Sequence, residues 1–342
     1  MSAIWVRNSS LAADHAAAGS FETAMQRLSE QVGAINFAPL KPYMLALYYG
    51  SRVMVAASPS LPGLLFPVHR NWEDSKPSAA LPFVGLNLNQ LVEQLQGAYK
   101  LVTAGKFAEA LVAFRALLYG STLCVVSTKA DSSEVGPVPR SALIVRAASP
   151  QMLTPRRMLL SSERFDRQLA QLVAISREYI LGLTLEVARK ASGKEDPASQ
   201  RRAAELAAYF THCNLQPVHL MLAIRSAMTT MFKLNNYVTA ASLARRLLEL
   251  GPKPEIAAQA RKVQEMADRN PRDEIKLDYD EHNPFVICGA TLTPIYRGHK
   301  SITCPLCGTH FQPAHKGKLC GICEVAAVGV EASGIRNMLE RR

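Results

Sequence analysis

Apolar residues in LAADHAAAGSFETAMQRLSEQVG, residues 11–33, recur at helical spacing, with Leu11, Phe21, Met25, Leu28 and Val32 as the periodic set. Gly19-Ser20 divides the run into two helical pieces. The phrase that opens the second piece, Gly19-Ser20-Phe21 followed by Ala24 and Leu28, returns as Gly105-Lys106-Phe107 with Ala110 and Phe114. It returns again, degraded, as Asn235-Asn236-Tyr237 with Ala240 and Leu243. In each case an aromatic residue opens a helix, an alanine three residues on lets the preceding helix approach closely, and a large apolar residue follows one turn later. That is the logic of the second helix of a tetratricopeptide repeat. The aromatics at 21, 107 and 237 are unevenly spaced, which predicts helix pairs of a worn solenoid rather than a regular array. Small-residue contacts of this kind also recur in other all-α domains.

Between the first two units the period changes. PYMLALYYGSRVMVAAS, residues 42–58, is dense in β-branched and aromatic residues around Tyr49-Gly50-Ser51 and predicts a β-hairpin over 43–57. Tyr43, Leu45, Leu47 and Tyr49 would line one face and Met44, Ala46 and Tyr48 the other, so both faces need cover. A lone hairpin is marginal in water, and this one must be core or be sheathed by another chain. Proline-rich residues 59–82 read as an extended loop. Helical periodicity runs from Leu86 to Leu118 with a break near Gly105. Residues 127–162, rich in Ser, Pro and Arg, read as a flexible insertion that partner binding does not need.

Further helices are expected over 164–190, 197–210, 217–232, 237–250 and 254–268, with Pro197, Pro217 and Pro254 in first turns, where a missing N–H costs nothing. Past Asn270-Pro271 come short β-prone runs at 285–287, 291–293 and 295–296. The fold class expected is mainly α with a β-rich part (α+β). An irregular, solenoid-like helical domain over 1–270 carries the hairpin and the insertion, and a small β-rich, zinc-ribbon-like domain follows over 271–342.

That last part holds the most specific chemistry in the chain. Cys304-Pro-Leu-Cys307-Gly and Cys320-Gly-Ile-Cys323 form two C-x2-C pairs with twelve residues between the inner cysteines, which is zinc-ribbon spacing. Each pair can bend into a turn that aims two thiolates at one point, with Gly308 and Gly321 as the residues expected to supply the backbone freedom. Cys304, Cys307, Cys320 and Cys323 are therefore the candidate zinc ligands, with His310 and Cys288 in reserve. The alternative is a pair of reduced cysteine turns without metal. A disulfide framework is disfavoured by the odd total of seven cysteines, of which Cys124, Cys213 and Cys288 are scattered among apolar neighbours.

Composition adds bounds. Of 342 residues, 48% are apolar and 20% charged, a globular balance, and the net charge of +11 favours an anionic partner or a membrane surface. The sequence opens without the pattern of a signal peptide and has no charge-free apolar stretch of about 18 residues, so a cytosolic location is expected. Glycine-rich phosphate loops and H-E-x-x-H are absent. In YFTHCNLQPVH, His212 and His219 flank Cys213, and this apolar helical junction suits structural histidines better than a Cys-His nucleophile. Nothing demands an enzyme.

The runs GSFETAMQRLSEQVGAINFAPLKP, VGLNLNQLVEQLQGAYKLVTAGKFAEALVAFRALL, REYILGLTLE, AAYFTHCNLQPVHLMLAIRSAM, ARRLLELGPKPE and NPFVICGATLTPIYRG resemble the C-terminal domain of the coatomer alpha subunit. The resemblance spans nearly the whole chain, which is then a fragment or a shortened member. It implies a non-enzymatic scaffold of the COPI vesicle coat, cytoplasmic and peripheral on Golgi membranes, serving Golgi-to-endoplasmic-reticulum and intra-Golgi transport. Its partners would be other coatomer subunits, above all the epsilon subunit, a tetratricopeptide solenoid that curls around a protruding hairpin. The hairpin over 43–57 is the candidate, with Tyr43, Leu45, Leu47, Tyr48, Tyr49, Val53 and Val55 as contacts and Arg52 at the wet edge. The zinc expectation rests on the cysteine spacing alone. The competing function is a basic zinc-ribbon protein that binds nucleic acid. From Gly289 onward, however, Tyr296 and Phe311 are the only aromatics available for stacking.

Overall fold

All three repeated phrases open helices at the aromatic residue. A computed structural model describes residues 9–55, 64–67, 86, 88–124, 155–193 and 196–335. In it α1 is Ala12–Ala18 and α2 is Phe21–Val32; α3 is Lys41–Gly50; α4 is Leu88–Thr103 and α5 is Phe107–Thr122. The long α6 is Pro155–Ala191, followed by α7 Pro197–Phe210, α8 Pro217–Lys233, α9 Tyr237–Glu249 and α10 Pro254–Arg269. Two residues before each aromatic, the chain turns through the left-handed region at Gly19, Gly105 and Asn235, with φ of 86°, 74° and 57°. The three alanines, Ala24, Ala110 and Ala240, are 0% exposed. They are small because the preceding helix of each pair packs directly over them.

Pro197, Pro217 and Pro254 each start their helices. Asp196 caps α7 by accepting from the Ser199 N–H at 3.0 Å. At the centre Tyr179 of α6 stacks on Phe114 with centroids 4.5 Å apart and accepts from the Gln216 N–H at 3.0 Å. Its hydroxyl meets His219 Nδ1 at 2.7 Å, and the other imidazole nitrogen meets Thr103 Oγ1 at 2.9 Å. One polar chain thus ties α4, α6 and α8 together.

Residues 43–49 are not a strand. Pro42 occupies the first turn of α3, and Leu40, Met44 and Leu47 are buried at the three- and four-residue spacing of a helix. Aromatic and β-branched density suggested a strand, but an apolar stripe one turn apart decides for a helix. The hairpin lies further on: β1 is Arg52–Val55 and pairs antiparallel with β2, Leu64–Pro67, inside the stretch read as an extended loop. The supposed insertion also changes at its end, since residues 155–162 form the start of α6; residues 127–154 lie outside the described residues.

After Arg269 an extended segment runs back along α7 and α9. Asp273 caps α9, accepting from the Val238 N–H at 2.9 Å, and Asn236 makes a two-way bond with the backbone of Ile275 at 2.8 Å each. Short antiparallel pairs follow: β3 (Phe285–Ile287) with β4 (Pro294–Tyr296), then β5 (Ile302–Thr303) with β6 (His310–Phe311). Residues 291–293 make the β3–β4 turn instead of a strand, with Leu292 at φ 54°. One apolar core runs from α1–α6 into this β-rich part and takes in Leu206 and Tyr209 of α7 and Ala223 of α8, and a second joins the other buried apolar residues of α7 and α8 to α9 and α10.

Candidate functional site

The β5–β6 hairpin carries Cys304 and Cys307 in its loop, and a second hairpin, closed by the Leu319–Ala327 bridge, carries Cys320 and Cys323. The two loops have the same build: the Gly308 N–H donates to the Cys304 carbonyl at 2.9 Å, and the Glu324 N–H donates to the Cys320 carbonyl at 2.8 Å. The left-handed residue after each pair is Gly308, at φ 71°, and Glu324, at φ 58°. Gly321 therefore does not play the part expected of it; the second turn is made at Glu324, a residue with a side chain.

All four sulfurs lie within 4.8 Å of one another and are buried. Cys304 Sγ is 3.7 Å from Cys323 Sγ, and Cys307 Sγ is 3.7 Å from Cys320 Sγ. A disulfide would need about 2 Å. The edge of a thiolate tetrahedron around zinc is about 3.8 Å, from metal–sulfur bonds of about 2.3 Å. The four cysteines are thus a set that can hold a metal ion. Cys288 and His310, the reserves, stay outside it; Cys288 is wholly buried and His310 Nδ1 faces Ser301 Oγ at 3.3 Å.

Charge bears on what the set could hold. Burial works against ionising Cys307, yet hydrogen bonds from Cys304, Cys320 and Cys323 hold its thiol well below the usual range. Hydrogen bonding to Cys304 and Cys307, then burial, pushes Cys320 and Cys323 far up. Ionising one thiol opposes ionising the others, and a divalent ion held by the four sulfurs would offset that opposition.

The helical part grips the second cysteine loop. The Ile35 and Asn36 N–H groups donate to the Val325 carbonyl at 2.9 and 3.0 Å, Asn36 Nδ2 donates to the Glu324 carbonyl at 2.8 Å, and the Ala327 N–H donates to the Gly33 carbonyl at 2.9 Å. Arg115 of α5 pairs with the Glu324 carboxylate at 2.9 Å. These residues carry no motif, and only the Cys-x-x-Cys-Glu phrase, with a non-glycine where a turn needs positive φ, hints at them.

The candidate partner residues are dispersed. Leu47, expected at the interface, is core, at 5% exposed. Tyr43 packs edge-on against Tyr119 at 6.1 Å. Tyr48 lies between Phe21 and the Arg52 guanidinium, which sits 3.9 Å from its ring centre. Leu45 and Tyr49, one turn apart, remain exposed at 36% and 67%. Val53 and Val55 lie on β1, paired with Phe66 and Leu64. At the His212–His219 junction no nucleophile forms. Cys213 is buried and its thiol pushed well up by that burial, and His219 has both nitrogens engaged. No helix among the described residues is long and apolar enough to cross a membrane.

The chain matches the family model for the C-terminus of the coatomer (COPI) alpha subunit over residues 1–138 and 152–341. It is 42% identical over 333 residues to coatomer subunit alpha-1 of Arabidopsis thaliana, covering 97% of this chain and 24% of that protein. It is 39% identical over 340 residues to coatomer subunit alpha of Dictyostelium discoideum, covering 98% and 24%. A putative coatomer subunit alpha of Schizosaccharomyces pombe is 36% identical over 334 residues, covering 97% and 25%. The chain spans about a quarter of the length of these relatives.

Proposed function

Because the chain belongs to the family formed by the C-terminal part of coatomer (COPI) alpha subunits, we propose that it is a non-enzymatic scaffold module of the COPI vesicle coat. It works on the cytoplasmic side, peripheral on Golgi membranes and vesicles, in Golgi-to-endoplasmic-reticulum and intra-Golgi transport. The observation that carries this reading is the family match along nearly the whole chain. Its partners are other coatomer subunits, with the epsilon subunit foremost. The partner edge is α3 and the β1–β2 hairpin that follows it, with Leu45 and Tyr49 in the middle and Tyr43, Tyr48, Arg52, Val53 and Val55 around them. In favour of this edge is a pair of large apolar side chains exposed one turn apart, beside a hairpin of only four-residue strands.

Co-expression with the epsilon subunit tests the reading. Leu45→Asp with Tyr49→Asp should abolish co-purification while helical circular dichroism is kept. If the wild-type chain does not co-purify either, the epsilon assignment is wrong; if the double variant still binds fully, the edge lies elsewhere. We further propose that Cys304, Cys307, Cys320 and Cys323 bind one zinc ion, a structural centre supported by the two sulfur contacts of 3.7 Å. Elemental analysis after metal-replete purification should give about one zinc per chain. The nucleic-acid alternative is not favoured by the relatives.

A further inference from the structure

From Asn283 to Cys323 the chain has no Asp or Glu, while Arg297, Lys300, Lys316 and Lys318 are all present and all exposed. None of the four has an ion-pair partner among the described residues. They cluster at two glycine turns. Gly298, at φ 101°, is flanked by Arg297, His299 and Lys300; Gly317, at φ 76°, is flanked by Lys316 and Lys318. A side chain added at either glycine would meet nothing within 4 Å, so both turns project into open space.

The sheet brings the turns together. The Gly317 N–H donates to the Val328 carbonyl at 2.8 Å and the Gly329 N–H to the Thr303 carbonyl at 2.9 Å, so one strand separates 316–318 from the strand that Lys300 leads into. Lys316 Cγ and the Ile302 side chain both lie within 3.5 Å of a single point beside Gly329. Next to Lys318 is Leu319, an aliphatic side chain 43% exposed, although the residue after it, Cys320, is fully buried in the cysteine set.

We propose that this pair of turns is a contact site for an anionic lipid bilayer: the cations meet lipid phosphates and carboxylates, and Leu319 enters the boundary between headgroups and acyl chains. Two features choose lipid over nucleic acid. The site presents an exposed aliphatic residue, and of the two aromatics nearby Phe311 is buried at 1% exposure while Tyr296 is only partly exposed and packs edge-on against Phe285. Backbone bonds pin the turn on both sides of Leu319, from the Val328 N–H to the Lys318 carbonyl and from the Cys320 N–H to the Ala326 carbonyl, each at 2.9 Å, so a single leucine can enter without ordering a loop. The site stands on its own residues and does not depend on the coat assignment.

The test uses the whole chain with vesicles of phosphatidylcholine alone and of equimolar phosphatidylcholine and phosphatidylserine, in co-sedimentation. Binding should appear only with phosphatidylserine and fall steeply as salt is raised. Lys316→Glu with Lys318→Glu should weaken it at least tenfold, since each cation near the surface contributes about fivefold. Leu319→Ser should weaken it while leaving the salt dependence unchanged. Lys316→Gln with Lys318→Gln, with metal content and melting temperature checked, guards against a folding defect. Inorganic phosphate at matched ionic strength should not compete; if it does, the site is a phosphate pocket and not a bilayer contact. Equal vesicle binding by wild type and both lysine variants would overturn the proposal. So would single-stranded RNA bound with the same dependence on the lysines when vesicles are not.

Discussion

Glu324 adopts the left-handed conformation that its counterpart in the first cysteine loop gives to glycine, and the Arg115 guanidinium holds its carboxylate. A side chain is kept at a position where glycine would be easier, and what it provides is an ion pair from the cysteine loop to α5. His219 shows the same precision in the core. Burial holds its imidazole below the ordinary histidine range, while a backbone bond at Tyr99 pulls the other way. Below about pH 6.5 the unfolded chain takes up a proton that the folded one refuses, so stability falls as the pH drops through that value. His219→Gln should make that fall shallower without abolishing it, since burial also lowers His212, to about 4; the measurement is the urea midpoint between about pH 7 and pH 5. A variant that loses stability just as steeply would assign the dependence to other groups. At this scale the four cysteines were legible because C-x2-C spacing is a geometric code. Arg115, Asn36 and Glu324 were not, because their partners lie far away along the chain.

Helices were the most legible elements. An aromatic, an alanine at the fourth position and a left-handed residue ahead of both mark α2, α5 and α9, and proline marks the starts of α7, α8 and α10. The alanines make the pattern testable. At 0% exposed, Ala110 has no room to grow, so Ala110→Leu should cost about 1–3 kcal/mol by forcing α4 away from α5. Ala108→Leu, on the exposed face of the same helix, should leave the melting temperature nearly unchanged. Equal effects would remove the close-approach argument. The misread element was α3, where Tyr, Leu and Met serve strand and helix alike. Only the buried set of Leu40, Met44 and Leu47 separates the two, and burial depends on neighbours far away in sequence. Leu45 and Tyr49 stayed visible as candidates because exposed apolar residues stand out in either conformation.

For the molecule as a whole, the α+β division could be read from the change of period after Arg269. The packing of the β-rich part into the first core could not, because backbone bonds between 33–36 and 325–327 leave no trace in composition. The arrangement predicts what metal loss does. Chelation should raise hydrogen exchange at Cys304–Val328 and, through the shared bonds, at Ile35 and Asn36, while α9 and α10, built on the second core, keep their protection. Uniform loss across all helices, or none at Ile35 and Asn36, would show that the two parts are not coupled in this way.

Asn36 donates to a carbonyl 288 residues further along the chain. During synthesis the edge formed by Gly33, Ile35 and Asn36 leaves the ribosome on the order of tens of seconds before its partner strand, at elongation rates of about 5–20 residues per second. Through that interval α1 and α2 carry an unpaired backbone edge and an uncovered apolar flank, the features on which nascent chains aggregate. Chaperone contact is therefore expected on α1 and α2 through that interval, and to end only when the cysteine loops arrive.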